Sequence, residues 1–118
     1  MTNITYLSEV VFFEEVGTAG KVWVARGIHG NIYAEELDAT GFSLPLWSSR
    51  ERVEEFLKNA RLVGPRYEPH DIPVDVFTNA WLSDKMKAIA ELQINPDGRT
   101  TRVLVMSPEE FEAGQAGK

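Results

Sequence analysis

Within residues 44–60, LPLWSSRERVEEFLKNA, the hydrophobic period changes from alternation to helical spacing in the space of three residues. This part of the chain must therefore run from a strand straight into a helix. On the strand, Leu44 and Leu46 share one side, and Pro45 and Trp47 share the other. Pro45 has no N–H to give to a ladder, which puts the strand at a sheet edge or makes Pro45 its end. Ser48 and Glu51 have the spacing of a capping box, in which hydroxyl and carboxylate satisfy exposed N–H groups reciprocally. Val53, Phe56, Leu57 and Ala60 then fall at i, i+3, i+4 and i+7, a single face to bury. Arg50, Glu54 and Lys58 line the opposite face at spacings suited to weak ion pairing.

The other segments give this strand–helix unit its partners. Leu7, Val10, Val11 and Glu14 follow helical spacing, although VVFF would also suit a strand; we read a helix ended by Gly17 or Gly20. KVWVAR and NIYAEE read as short strands around GIHG, whose glycines can supply positive φ to a tight hairpin. RYEPHDIP is extended, because each proline biases the residue before it away from helix. VDVFTNAWLSDKM is a second helix with Val74, Phe77 and Trp81 on one stripe. AIAELQI and TTRVLVM alternate as strands joined by NPDG, with Gly98 in the left-handed position. Ser107, Pro108 and Glu110 set up a capped terminal helix. This order predicts an α+β fold: a mostly antiparallel sheet with helices packed on one face. It forms a single domain over residues 1–113, with GQAGK, 114–118, as a flexible tail.

Together, KVWVARGIHGNIYAEE, LPLWSSRERVEEF, YEPHDIPVDVFTNAWL and MSPEEFEA resemble a bacterial family, domain of unknown function 2750. The resemblance runs from about Lys21 to Ala113. It is carried by Val22-Trp23, by Pro45 to Trp47, and by the pattern from Ile72 to Leu82. The chain departs from that pattern after Leu82, where SDKMKAIAE replaces a Gly-containing turn, which leaves the length of the second helix open. The resemblance implies a bacterial α+β domain and brings no activity, cofactor or partner with it.

The residues argue against several chemistries. A formal net charge of −6, with Lys and Arg scattered, disfavours nucleic-acid binding, which needs a clustered cationic face. No window approaches the roughly 20 apolar residues of a membrane span, and the first residues lack a signal-peptide pattern. With no cysteine there is no thiolate nucleophile or thiolate metal site, and a reduced cytoplasm is the expected setting. Ser48, Ser49 and Ser107 are explained as helix caps, and there is no GxSxG elbow. His70, Asp71 and Asp75, with Glu68 nearby, are the best candidates for metal ligands. Adjacent His70 and Asp71 on a strand point to opposite faces, however, so they cannot share an ion. GTAGK, residues 17–21, lacks P-loop spacing. We therefore expect no catalytic residues, no metal and no cofactor.

Trp47 and Arg50 remain as candidate ligand-binding residues. An aromatic beside a helix N-terminus, with an arginine one turn along, could hold an acidic group. Against this, large aromatics are generally buried as packing. The leading expectation is a small acidic, non-enzymatic protein-interaction domain, its partner another protein or a second copy in a homo-oligomer. One form is an inhibitor or immunity-type protein whose acidic face covers a basic active site. The alternative is a small-molecule binding or weakly enzymatic domain with a pocket around Trp47. A deep cleft with convergent polar groups would favour the alternative; a flat, acidic or apolar exposed patch would favour the first.

Overall fold

A computed structural model describes residues 7–37, 41–83, 88–99 and 103–116. Helix α1, Leu7–Ala19, ends where Gly20 turns left-handed (φ +73°), its N–H reaching the Val16 carbonyl at 2.7 Å. The helical reading of VVFF therefore holds: Phe12, Phe13 and Val16 form one buried stripe.

Strand β1, Lys21–Gly27, pairs antiparallel with β4, Tyr67–Pro73, bringing Val22 opposite Ile72. The GIHG hairpin forms but is short. Gly27 N–H bonds Asn31 O at 2.7 Å, Gly30 adopts φ +85°, and Tyr33 N–H returns to Ala25 O. After this the chain leaves β1, and β2, Glu35–Leu37, joins a second sheet with β3, Gly41–Leu46; β5, Ile89–Ile94; and β6, Leu104–Met106. The order of that sheet is β2-β3-β5-β6, and the β3–β5 pair is parallel within an otherwise antiparallel arrangement.

Pro45 thus lies on an inner strand, not at the sheet edge expected from its missing N–H. The reason is local. Trp47 exchanges both backbone hydrogen bonds with Trp23 of β1, at 2.9 and 2.8 Å, while β2 stops pairing at Ser43. Alternation turns the Pro45 nitrogen to the same side as those of Ser43 and Trp47. It therefore falls in the gap between β2 and the Trp23–Trp47 bridge, where no donor is required.

That bridge joins the two sheets, and side chains from both fill one core. Val22, Val24, Ile72, Leu44, Leu46, Leu92, Ile94 and Met106 meet Phe12, Phe13, Phe77 and Phe111. Phe111 of helix α4, Pro108–Ala116, packs edge-on to Phe12 at 6.2 Å and to Phe77 at 5.4 Å. The fold is α+β, as the order of elements predicts. The expectation of helices on one face describes α1, α4 and the Val74–Trp81 segment. Helix α2, Arg50–Asn59, lies on the opposite face, where Val53 and Phe56 cover Ala25 and Trp47.

Two local expectations need correction. The cap of α2 is Ser49, whose Oγ accepts from Arg52 N–H at 3.3 Å; Ser48 is buried in a polar network instead. The second helix is α3, Val74–Val76, widening at once into a π-helical turn, Phe77–Trp81, closed by Leu82 N–H on Phe77 O at 3.0 Å. Residues 84–86 of the expected longer helix lie outside the described residues. At the C-terminus the Ser107–Glu110 box forms, with bonds of 2.8 and 3.1 Å. Helix α4 continues to Ala116, past the expected end at Ala113, because Gly114 lies against the Phe13 ring where a Cβ would clash. Residues 117–118 of the expected tail lie outside the described residues.

Candidate functional site

Trp47 is fully buried. Its indole Nε1 donates to Pro96 O at 2.8 Å, and its ring lies 5.1 Å from that of Phe56. Arg50 is on the exposed face of α2, paired with Glu54 at 3.2 Å. The fold does not bring these two side chains together: one is sealed beneath α2, the other points to solvent.

A carboxylate does stand beside the first turn of α2, and it is the chain's own. Glu15 on α1 takes a two-point bond from Arg52, Nε at 2.8 Å and Nη2 at 2.9 Å, and also accepts from the Ser48 hydroxyl. Asn95 completes the group: its Oδ1 accepts from Ser48 N–H at 3.0 Å, and its Nδ2 donates to Ser48 Oγ at 3.1 Å. Asn95 takes φ +50°, a left-handed conformation that Asn tolerates better than most residues. The hydrogen bond from Arg52 holds the Glu15 carboxyl below the usual carboxylate range, against the opposing effect of its partial burial. Reciprocally, Glu15 raises the Arg52 guanidinium. This network ties α1, the entry to α2 and the β5 exit together. Its polar groups are spent on one another, and its physical role is attachment.

An apolar cleft lies on the sheet face opposite Trp47 and α2. Ile32, Ala34, Phe42, Leu44, Trp81 and Ile89 line an open cleft of about 320 Å³. Three backbone features shape its rim. The π turn stacks Trp81 on Phe77 at 5.8 Å, so the indole forms a wall. Ala88 has φ +51°, a sparsely populated conformation for a residue with a Cβ. Gly41, at φ +122°, passes so close to Ala88 O that a side chain would clash, and Phe42 N–H bonds that oxygen at 2.8 Å. Such π turns and left-handed residues recur at functional positions. Trp81, which its helical stripe assigns to the core, is half-buried at this wall; Trp23 of β1 is half-buried beside Trp47. The sequence signal for the cleft was faint: Trp81 at helical spacing from Phe77 reads as core, and nothing local announces the π turn.

Among the described residues no titratable side chain lines the cleft, so its described walls offer apolar contact and no acid, base or nucleophile. Elsewhere, Asp71 is paired with Lys21 at 3.1 Å, which lowers its carboxyl pKa, and His29 is exposed in the β1 turn. Among the described residues no three His, Asp or Glu side chains are grouped to hold a metal ion. Nor is any described helix long and apolar enough to cross a membrane.

No curated protein matches the chain. The sequence profile of one family, described as Protein of unknown function (DUF2750), matches residues 10–114. That span takes in both sheets, the Glu15–Ser48–Arg52 network and the Trp81 cleft, and on it the chain belongs to the DUF2750 family.

Proposed function

We propose that this chain is a non-enzymatic protein-interaction domain, and that the Trp81 cleft receives an apolar side chain of its partner. The observation that carries this reading is the cleft itself: open, and walled among the described residues by six apolar ones without convergent polar groups. Small-molecule sites usually add a few placed polar groups to an apolar pocket, whereas an anchor side chain needs only the apolar part. Phe42 stands on the lip, 39% exposed, and Glu36 is opposite it in register on the same side of the sheet. An apolar anchor flanked by basic residues is the complementary partner, in keeping with the net charge of −6. An inhibitor or immunity-type protein of the cytoplasm that covers a basic surface is the form this reading takes. Homo-oligomerisation through the same cleft is its self-associating variant.

The test is panning of a random peptide display library on the full chain, with Trp81→Ala as counter-selection. We expect enriched peptides to share one large apolar residue flanked by Lys or Arg, and to lose binding to the variant. Enrichment that survives Trp81→Ala, or no enrichment over an unrelated acidic protein, overturns the reading.

A further inference from the structure

A second cavity, of about 370 Å³, opens on the α2 side of the four-stranded sheet; Tyr33, Glu35 and Gln93 line it together with Phe56, Ala60 and Pro96, beside Gly98 and Val103. Its hydrogen-bonding inventory is lopsided. Gln93 Nε2 donates to Glu35 Oε1 at 2.6 Å and to Ser43 Oγ at 2.9 Å, and the Ser43 hydroxyl donates onward to Glu91 Oε2 at 2.7 Å. The Gln93 amide therefore spends its donors on its neighbours. Glu35 Oε2, Gln93 Oε1 and Tyr33 Oη make no hydrogen bond to any described residue. Among the described residues no Lys, Arg or His lines the cavity. Burial, first, and the charge of Glu35 push the Tyr33 phenol up, so that its hydroxyl stays neutral. What remains unspent is two acceptors and a hydroxyl that can serve as a third, one of them charged.

Such a set selects a cation with several N–H donors and rejects anions. The other described lining side chains are carbon, as the stem of such a cation requires. Tyr33 is held in place by ring contacts with Phe56 at 5.8 Å and with Tyr67 at 5.4 Å. We propose that this cavity binds a primary alkylammonium group. Its –NH3+ is held by Glu35 with Tyr33 and Gln93, and its methylene stem lies on Phe56, Ala60 and Pro96. The site is on the opposite sheet face from the Trp81 cleft and does not depend on that cleft's function. Two sources carry this chemistry, a free aliphatic amine and a lysine side chain of a protein.

The experiment is a 1H–15N NMR titration of the full chain with n-pentylamine and with Nα-acetyl-lysine N-methylamide, with 1-pentanol and pentanoate as controls. We expect saturable shifts at Tyr33, Glu35 and Gln93 with an amine, and at least tenfold weaker binding of both controls. Glu35→Gln should weaken amine binding at least tenfold and Tyr33→Phe severalfold, while Trp81→Ala leaves it unchanged. Binding of the lysine derivative as tightly as pentylamine identifies a protein lysine; binding of pentylamine alone identifies a free amine. The proposal fails if neither amine saturates, if pentanol binds as tightly as pentylamine, or if Glu35→Gln retains wild-type affinity. The pentanol comparison uses only the wild-type chain, so it decides the matter even if a variant misfolds.

Discussion

Two tryptophans with opposite surroundings give a sharp test of how this fold is held together. Trp47 has 0% exposure, contacts Phe56 and donates its indole N–H to Pro96 O. Replacing a buried Trp by Ala typically costs about 3–5 kcal/mol. Stripping the Pro96 carbonyl of its donor adds about 1–3 kcal/mol. Trp47→Ala should therefore consume most of the roughly 5–15 kcal/mol that stabilises a typical domain. Trp47→Phe keeps a ring against Phe56 and loses mainly the hydrogen bond and a small volume, so about 2–3 kcal/mol is expected. Trp81 walls an open cleft, and its removal leaves no sealed void; Trp81→Ala should cost about 1–2 kcal/mol. Urea unfolding followed by far-UV circular dichroism reads all three without relying on tryptophan emission, and unchanged m-values would keep the comparison fair. A loss below about 1.5 kcal/mol for Trp47→Ala, well short of the buried-aromatic range, would refute the reasoning. So would a Trp81→Ala cost equal to that of Trp47→Ala.

Ser48→Ala should destabilise by about 1–3 kcal/mol, since Glu15 and Asn95 lose a buried partner. Ser49→Ala should cost about 1 kcal/mol as loss of a helix cap; thermal denaturation showing the reverse order would contradict the network. Because Arg52 lowers the Glu15 pKa in the fold, the pair's contribution is present above the ordinary carboxylate pKa and is lost as pH falls through the lowered folded value. Glu15→Gln should thus remove up to about 1 kcal/mol at neutral pH for this part-exposed pair and flatten the acid limb of the stability curve. Parallel acid limbs in variant and wild type would count against it. Arg50→Ala, which breaks only an exposed pair with Glu54, should change stability by less than about 0.5 kcal/mol in denaturant unfolding, and less than Arg52→Ala does. EDTA should leave the melting temperature unchanged, a loss restored by added divalent metal being the contrary result.

The features legible in the sequence are those decided within a few residues. The Val53-Phe56 stripe, the Ser107–Glu110 box and the left-handed Gly20 each depend on period, capping or backbone freedom over one or two turns of chain. What the tertiary structure decided depends on partners far away in sequence. Pro45 sits on an inner strand because Trp23 arrives to pair with Trp47 and leaves the proline's side vacant. The cap of α2 moves from Ser48 to Ser49 because Glu15, 33 residues earlier, claims the Ser48 hydroxyl. The expectation of an acidic group beside that helix was drawn from its dipole, and the carboxylate found there comes from α1. Trp47 and Trp81 each follow an apolar pattern, yet one is sealed and the other faces a cleft. Periodicity says which way a side chain points from its own backbone. Only the packing of distant elements determines whether anything covers it.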